Sequence, residues 1–474
     1  MELSSLLLMR QELLLTAIIL IILGAEIFLS KEQKGLIVPI ALGLFAIQLV
    51  VGFFPMEYGS LFGKMYQNSG LTHLMKNILN IGVMIIFLQS ASWLRQDVIN
   101  QGRGTEFYLL VLSTLLGMYF MISAGDFLMF YLGLELSSLP LAALAAFDIY
   151  KKRSAEAGIK FILSAAMASG VSLYGISMIY GVTGSLYFDE IATTFNFGGL
   201  EVMALVFFFA GLAFKMSLVP FHFWTADVYE GAPISITSYL SVISKGAAVF
   251  ILTIILFNFM KSMQDVWKDI VYIIAILTMT LGNLFALRQK NMKRFLAFSS
   301  IAQAGFLLLG VIAGTQSGMA VVVYFVLIYI FSNLGAFGVV QAIYVNTGKE
   351  NMDDYEGLYL TNPKLSLVML LSLFSLAGIP PVAGFFGKFF LFMAAAGEGY
   401  YWLVLVAVIN VIISLYYYLL VVRAMFLRKS DNAIPMFTSD NLLKLGLIIC
   451  VFGILVAGLY SPLYEYIFAL SALK

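Results

Sequence analysis

Long apolar runs alternate with short polar connectors along nearly the whole 474-residue chain. Bounded by charges or by Gly and Pro, they fall at 13–29, 36–54, 74–94, 107–124, 127–147, 159–181, 201–220, 233–257, 267–287, 296–314, 319–344, 364–394, 400–427 and 442–460. Each is close to the roughly 20 residues that a helix needs to cross a hydrocarbon core. The stretch 221–232 continues the seventh run after a break. No polar segment is long enough to fold as a soluble unit. The pattern therefore predicts an all-α polytopic membrane protein of about 14 helices, forming a single domain over 1–474.

Composition sharpens this picture. Hydrophobic residues make up 61% of the chain and charged residues 11%, where a soluble domain carries about 25% charged. A soluble enzyme, a nucleic-acid binder and a disordered chain are excluded, and a net charge of +1 implies no polyelectrolyte partner. Cys450 is the only cysteine, and the two histidines, His73 and His222, lie far apart. With no metal-ligand spacing, neither a metal nor a haem nor an iron–sulfur cofactor is expected in this chain. Leu13–Leu29 follows Arg10 without a small-residue cleavage site, so it reads as a retained span. Lys and Arg divide 17 to 5 between alternate connectors. The rich side holds Lys31, Lys34, Arg95, Arg103, Lys151, Lys152, Arg153, Arg288, Lys290, Lys293, Arg294, Lys349, Lys364, Arg423, Arg428, Lys429 and Lys444; the poor side holds Arg10, Lys64, Lys261, Lys268 and Lys474. The rich side is expected inside, which puts both termini outside.

Against so little charge, the ionisable residues within the spans stand out. A charge at the bilayer centre costs about 2.5–3.5 kcal/mol even on the lenient insertion scale. Lys76, three residues into its run, can snorkel to the interface, and Glu26 lies near the inner end of the first run. Lys160 opens the sixth at a similar shallow depth, and its position leaves a structural and a functional role open. Glu135 and Lys245 are mid-span. Thr237 and Ser241 precede Lys245 by eight and four residues, so on a regular α-helix their hydroxyls share its face. Lys215 and Lys388 flank interrupted helices. Pro220 cannot donate to the carbonyl of Met216, and Pro380 and Pro381 leave those of Leu376 and Ala377 without partners. Backbone opened at membrane depth survives only inside protein or beside a wet cavity, and paired broken helices mark ion paths in repeat-built transporters.

GFFGK (Gly384–Lys388) is not a phosphate loop, because Val382 stands at the first glycine position and Phe389 at the Ser/Thr. No strand–GxGxxG–helix unit is present either, so direct NADH binding is not expected. A buried lysine suits proton relay: leaving water loosens an ammonium's hold on its proton, and a nearby carboxylate restores it. Glu135, Lys215, Lys245 and Lys388 could pass charge along the interior if the helices bring them into sequence. His222, Ser299, Ser300, Gln303, Tyr324, Ser332 and Asn333 could hold water between them, or serve as ordinary interhelical hydrogen bonds.

These residues lie in stretches that resemble a known family. GLAFKMSLVPFHFWTADVYEGAPISITSYLSVISKGA (211–247) is similar to the signature core of the antiporter-like subunits of respiratory complex I and their Mrp-antiporter relatives. YLGLELSSLPLAALAAF (131–147), ALRQKNMKRFLAFSSIAQAGF (286–306), FSNLGAFG (331–338) and LAGIPPVAGFFGKFF (376–390) agree in order, so the resemblance covers about 105–430. DVYEGAP (Asp227–Pro233) and Lys388 favour the N-type branch, equivalent to mitochondrial subunit 2. The M-type sister has a glutamate in that broken helix, and the L-type a long lateral helix at its carboxyl end.

The resemblance implies three amino-terminal helices over 13–94 and two inverted five-helix repeats over 107–257 and 267–427, each with a discontinuous helix. A last helix and tail follow over 442–474. It implies that Glu135 pairs with Lys215, that Lys245 is the central relay and that Lys388 is the terminal exchange lysine. Lys160 and His222 match family positions, and His222, Thr237, Ser241, Pro220, Pro380 and Pro381 would support the relay. The implied role is proton translocation within a hetero-oligomeric NADH–quinone oxidoreductase of the bacterial cytoplasmic membrane, driven by quinone reduction elsewhere. FMN, iron–sulfur clusters and quinone would belong to partner subunits of the membrane and peripheral arms. The alternatives are an Mrp-type cation/proton antiporter subunit, the homologous subunit of a photosynthetic or hydrogenase-type complex, and a membrane scaffold.

Overall fold

The computed structural model describes residues 3–96, 102–429 and 433–472. Lys474, counted for sidedness, lies outside them, as does the side chain of Lys31. The helices are α1 (Arg10–Phe28), α2 (Ile37–Gly52), α3 (Gly70–Gln96), α4 (Gly104–Ile122), α5 (Phe127–Leu136), α6 (Leu139–Ala145) and α7 (Lys152–Thr183). Then come α8 (Phe188–Thr194), α9 (Gly199–Met216), α10 (Phe223–Gly231), α11 (Ile234–Tyr239), α12 (Lys245–Ile254), α13 (Gln264–Ala286) and α14 (Met292–Ala313). The last seven are α15 (Gln316–Thr347), α16 (Leu358–Thr361), α17 (Pro363–Ala377), α18 (Ala383–Gly397), α19 (Tyr401–Leu427), α20 (Asn441–Leu459) and α21 (Pro462–Leu470). Among the described residues, 13 helical stretches are long and apolar enough to cross a membrane, with α17 and α18 as two shorter apolar pieces. The chain is thus a multi-pass, nearly all-helical membrane protein. Its only sheet among the described residues is a hairpin, β1 (Gly59–Leu61) against β2 (Tyr66–Asn68).

Burial sorts the helices. The apolar windows of α14 and α15 are 100% buried and that of Ile234–Phe259 is 94% buried, against 33% for α1, α2, α7 and α19. The central helices are therefore apolar all round, and the peripheral ones turn much of their surface outward. Side-chain caps fix the helix starts. Asp126 accepts the N–H of Met129, Asn291 those of Lys293 and Arg294, and Thr315 that of Gly318.

Four helix breaks depart from a plain bundle. The fifth span steps between α5 and α6 at Ser137 and Ser138, and the seventh stops at Met216, with Ser217 left-handed (φ 62°) before α10. Leu240–Ser244 forms a π-helical turn between α11 and α12. α17 ends at Gly378 (φ 87°), and α18 starts after the two prolines. Val219–Pro220 and Pro380–Pro381 are cis. The interruptions expected after Lys215 and before Lys388 are present; the one at Ser137 lies just ahead of Pro140, which cannot donate to the carbonyl of Leu136, and the one at Leu240 has no proline to announce it.

Candidate functional site

Lys215 sits one residue before the end of α9, and its side chain fills the step between α5 and α6. Its Nζ donates to Ser137 Oγ and Ser138 Oγ, both at 2.7 Å. Glu135, two residues ahead of the step, turns towards α7, where the hydroxyl of Ser169 donates to its carboxylate. No ion pair within 4.0 Å joins Glu135 to Lys215 among the described residues. The two instead line one cavity of about 180 Å³, which reaches Ser244 beside Lys245. Glu135 and Lys215 thus share a cavity rather than an ion pair, and the break at Ser137 supplies the ammonium with its acceptors.

Lys245 follows the π turn. Its Nζ donates to Ser300 Oγ on α14 at 2.8 Å and lies 5.6 Å from the centre of the Tyr229 ring. Ser241 donates to Asn333 Oδ1 on α15 (2.8 Å) and Thr237 to the carbonyl of Tyr229 (2.9 Å). A π turn closes over five residues, so the regular spacing that would stack Thr237, Ser241 and Lys245 on one face does not hold. The three side chains reach three different elements.

Lys388 answers the proline break directly. Its Nζ donates to the carbonyls of Leu376 (2.7 Å) and Ala377 (3.1 Å), the two that the prolines cannot serve, and lies 4.7 Å from the Phe306 ring centre. A cation at a helix carboxyl end is also favoured by the helix dipole. Gly384 makes this reach possible: a Cβ there would lie 1.7 Å from the carbonyl oxygen of Ser375.

Helix α14 links the second and third lysines. Next to Ser300, Ser299 shares a 2.5 Å hydrogen bond with Tyr418, and Gln303 Nε2 donates to Tyr418 (3.3 Å) and to the Leu376 carbonyl (3.0 Å) that also holds Lys388. Ser332 donates to Ser375 (2.7 Å), whose oxygen accepts the N–H of Gly384, and Asn333 donates to Tyr329 (2.9 Å). Tyr324 instead bonds the carbonyl of Ala457 on α20, a tie between helices. His222 is buried at the first break.

Lys160 stands apart from this axis. Helix α7 begins at Lys152, seven residues before the expected start. Lys160 reaches its rim, 42% exposed, pairing with Glu156 and Asp227, each at 2.7 Å. Asp227 also takes Arg294 (2.7 Å), which reaches Glu230 (3.0 Å). Beside this network opens a cavity of about 360 Å³, lined by Asp148, Lys151, Glu230, Lys293, Tyr344 and Glu350 among others. Lys151, in the connector before α7, is partly desolvated. Its hydrogen bonds to Tyr344 and Asp148 outweigh that and hold its ammonium above the usual lysine range.

Two acidic residues change the reading of the amino-terminal helices. Lys76 does not snorkel: its side chain is 1% exposed and donates to Glu12 (2.5 Å), itself 2% exposed. Helix α3 begins at Gly70 and α1 at Arg10, so both residues lie inside helices where the apolar runs alone placed Lys76 near an end and Glu12 outside. Glu26 accepts from Lys34 and Thr105 at a half-exposed position. Among the described residues, no group of three His, Cys, Asp or Glu could hold a metal ion.

The nearly all-helical, multi-pass fold matches that of complex I and Mrp antiporter-like membrane subunits. The family described as NADH:quinone oxidoreductase/Mrp antiporter, TM matches residues 124–414. The chain is 52% identical to NADH-quinone oxidoreductase subunit N of Phocaeicola vulgatus over 466 residues, 98% of each chain. It superposes on a chain of respiratory complex I from Thermus thermophilus with a TM-score of 0.79 at 29% identity, over 96% of this chain and 98% of that one. A chain of the Mrp complex from Dietzia shares the fold alone, with a TM-score of 0.87 at 20% identity over 99% and 97%. The chain belongs to the NADH-quinone oxidoreductase subunit N family.

Proposed function

We propose that the chain moves protons across the bacterial cytoplasmic membrane as the N-type membrane subunit of an NADH–quinone oxidoreductase. The observation that carries this reading is the state of Lys215, Lys245 and Lys388. All three are buried, and none has a carboxylate within 4.0 Å among the described residues. Their ammonium groups are held by hydroxyls and freed carbonyls at breaks in the helices. Such a site tolerates either protonation state, since removing the proton strands no partner charge.

In this reading a proton enters from the 360 Å³ vestibule, with the Lys160–Asp227–Arg294 network at its edge. The cavity between Glu135 and Lys215 holds water beside Ser244 and Lys245. Ser300 can accept from Lys245 and pass a proton by rotating its hydroxyl, and the Ser299–Tyr418 hydroxyl pair extends the path towards Lys388. Like charges repel strongly in a low-dielectric interior, so a proton arriving at one lysine promotes release from the next. Quinone reduction in partner subunits, which would hold the FMN and iron–sulfur clusters, supplies the driving change. The breaks after Lys215 and before Lys388 support two inverted repeats over 107–257 and 267–427, and the 17 to 5 division of basic residues supports termini on the outer side.

The test is Lys245→Met in the assembled complex in inverted membrane vesicles, following NADH oxidation and a pH-sensitive dye together. The expected result is at least a twofold fall in protons moved per NADH with assembly retained. Unchanged pumping overturns the reading. Sodium-linked exchange by the reconstituted chain without a redox partner would establish the antiporter alternative instead.

A further inference from the structure

One cluster of buried polar residues that this path leaves unused lies among the amino-terminal helices and α4. At its centre Lys76 Nζ donates to Glu12 (2.5 Å) and to Tyr66 OH (3.2 Å), and Tyr66 OH donates to the other Glu12 oxygen (3.1 Å). Lys76 Nζ also lies 5.7 Å from the centre of the Tyr119 ring. The Tyr119 hydroxyl donates to Asn80 and accepts from Gln48 (3.4 Å). Gln11, next to Glu12, donates to Asn77 (2.5 Å).

Two features set this cluster apart from a structural ion pair. Gln11 Oε1, Gln48 Oε1 and Asn80 Nδ2 are buried without a protein partner, on side chains at most 2% exposed. Buried polar atoms of this kind are served by internal water. The cluster also leads towards the relay. Five residues before Tyr119 on α4, Thr114 shares a 2.6 Å hydrogen bond with Tyr239, whose hydroxyl also contacts the sulfur of Met118, the neighbour of Tyr119. Tyr239 is the last residue of α11, immediately before the π turn that delivers Lys245.

We propose that Glu12 and Lys76 form a further proton-exchange site, hydrated through Gln11, Gln48 and Asn80. It would be joined to Lys245 through Tyr119, Thr114 and Tyr239, on the membrane face where α1 and α3 begin. A proton arriving along the hydroxyls and water binds the Glu12 carboxylate and takes the pair from neutral to a net charge of +1. Lys76 keeps its own proton and, by repulsion, promotes loss of the arriving one to water at that face, returning the pair to neutral. No other bond changes. Tyr66 and Tyr119 position the carboxylate and the water.

This inference rests on the proton-translocation reading, so the experiment must separate the two. Assembled complexes carrying Glu12→Gln/Lys76→Met, Tyr119→Phe and Lys245→Met are compared in vesicles for NADH oxidation and protons moved per NADH. The double variant removes both charges at nearly constant volume and leaves no lone buried ion. Expected is a fall of about twofold or more in protons per NADH for all three, with a carboxyl infrared band during turnover that disappears when Glu12 is replaced. Normal pumping in the double variant while Lys245→Met is impaired overturns this site alone. Normal pumping in Lys245→Met overturns the reading beneath it. If the double variant does not assemble, Tyr119→Phe decides, since it removes one hydroxyl from the link: normal pumping by it overturns the proposal.

Discussion

At the scale of single residues, the three lysines of the proposed relay differ in what their removal exposes. Among the described residues Ser300 is the one side-chain acceptor of Lys245, so Ser300→Ala leaves a buried ammonium unserved, at a cost of about 1–3 kcal/mol. It is expected to lower both the melting temperature of the assembled membrane arm and its pumping rate. Lys388→Met is milder for stability, because Gln303 still serves the Leu376 carbonyl and only Ala377 loses its partner. Calorimetry on the two variants should rank them in that order. Lys76→Met strands Glu12 in the interior, where breaking a buried pair costs about 3–5 kcal/mol, and should give poor assembly where Glu12→Gln/Lys76→Met assembles. The lysines were legible in the sequence because charge within an apolar run is costly wherever it points. Their partners were not, apart from the two carbonyls beneath Lys388, whose need follows from proline chemistry within the same segment.

At the scale of elements, the breaks decide where the polar groups point. Gly384 allows α18 to start against the end of α17, and the Cβ of Gly384→Ala would meet backbone at 1.7 Å. Overpacking typically costs about 1–3 kcal/mol and more against rigid backbone. Loss of Lys388-dependent pumping and reduced assembly are expected, to be read by native gel and vesicle assay. Gly181 on α7 has nothing within 4 Å of a Cβ, so Gly181→Ala should leave both measurements unchanged. Proline announced two breaks in advance. The π turn at Leu240–Ser244 had no such signal, because it holds neither proline nor glycine; it packs against α15, α3 and α14. That is why the expected hydroxyl stripe through Thr237 and Ser241 separated onto different neighbours.

At the scale of the whole molecule, Asp227 joins α7 to α14 through Lys160 and Arg294. These groups are half-exposed, so the network is screened by salt and each pair contributes modestly. Asp227→Asn should lower the melting temperature clearly at about 0.01 M salt and much less at about 1 M, where the Debye length has fallen from about 30 Å to about 3 Å. Lys151 sets a limit on pH effects in the vestibule. Its folded pKa lies above the unfolded value, so its contribution is complete below about pH 10 and is lost only as pH rises through the folded value. A Lys151→Met variant should therefore shift stability by the same amount at about pH 6 and about pH 9. By itself, the sequence determined the membrane-spanning pattern, the two helices broken at Pro220 and at Pro380 and Pro381, and the lysines that the bilayer penalises, since each follows from local hydrophobicity or backbone chemistry. Only the tertiary structure decided that Lys215 fills the step at Ser137, that Lys160 reaches a rim and that Lys76 meets Glu12. Those pairings join residues 64 to 78 positions apart, and helix packing, which no local spacing encodes, selects among the acceptors available.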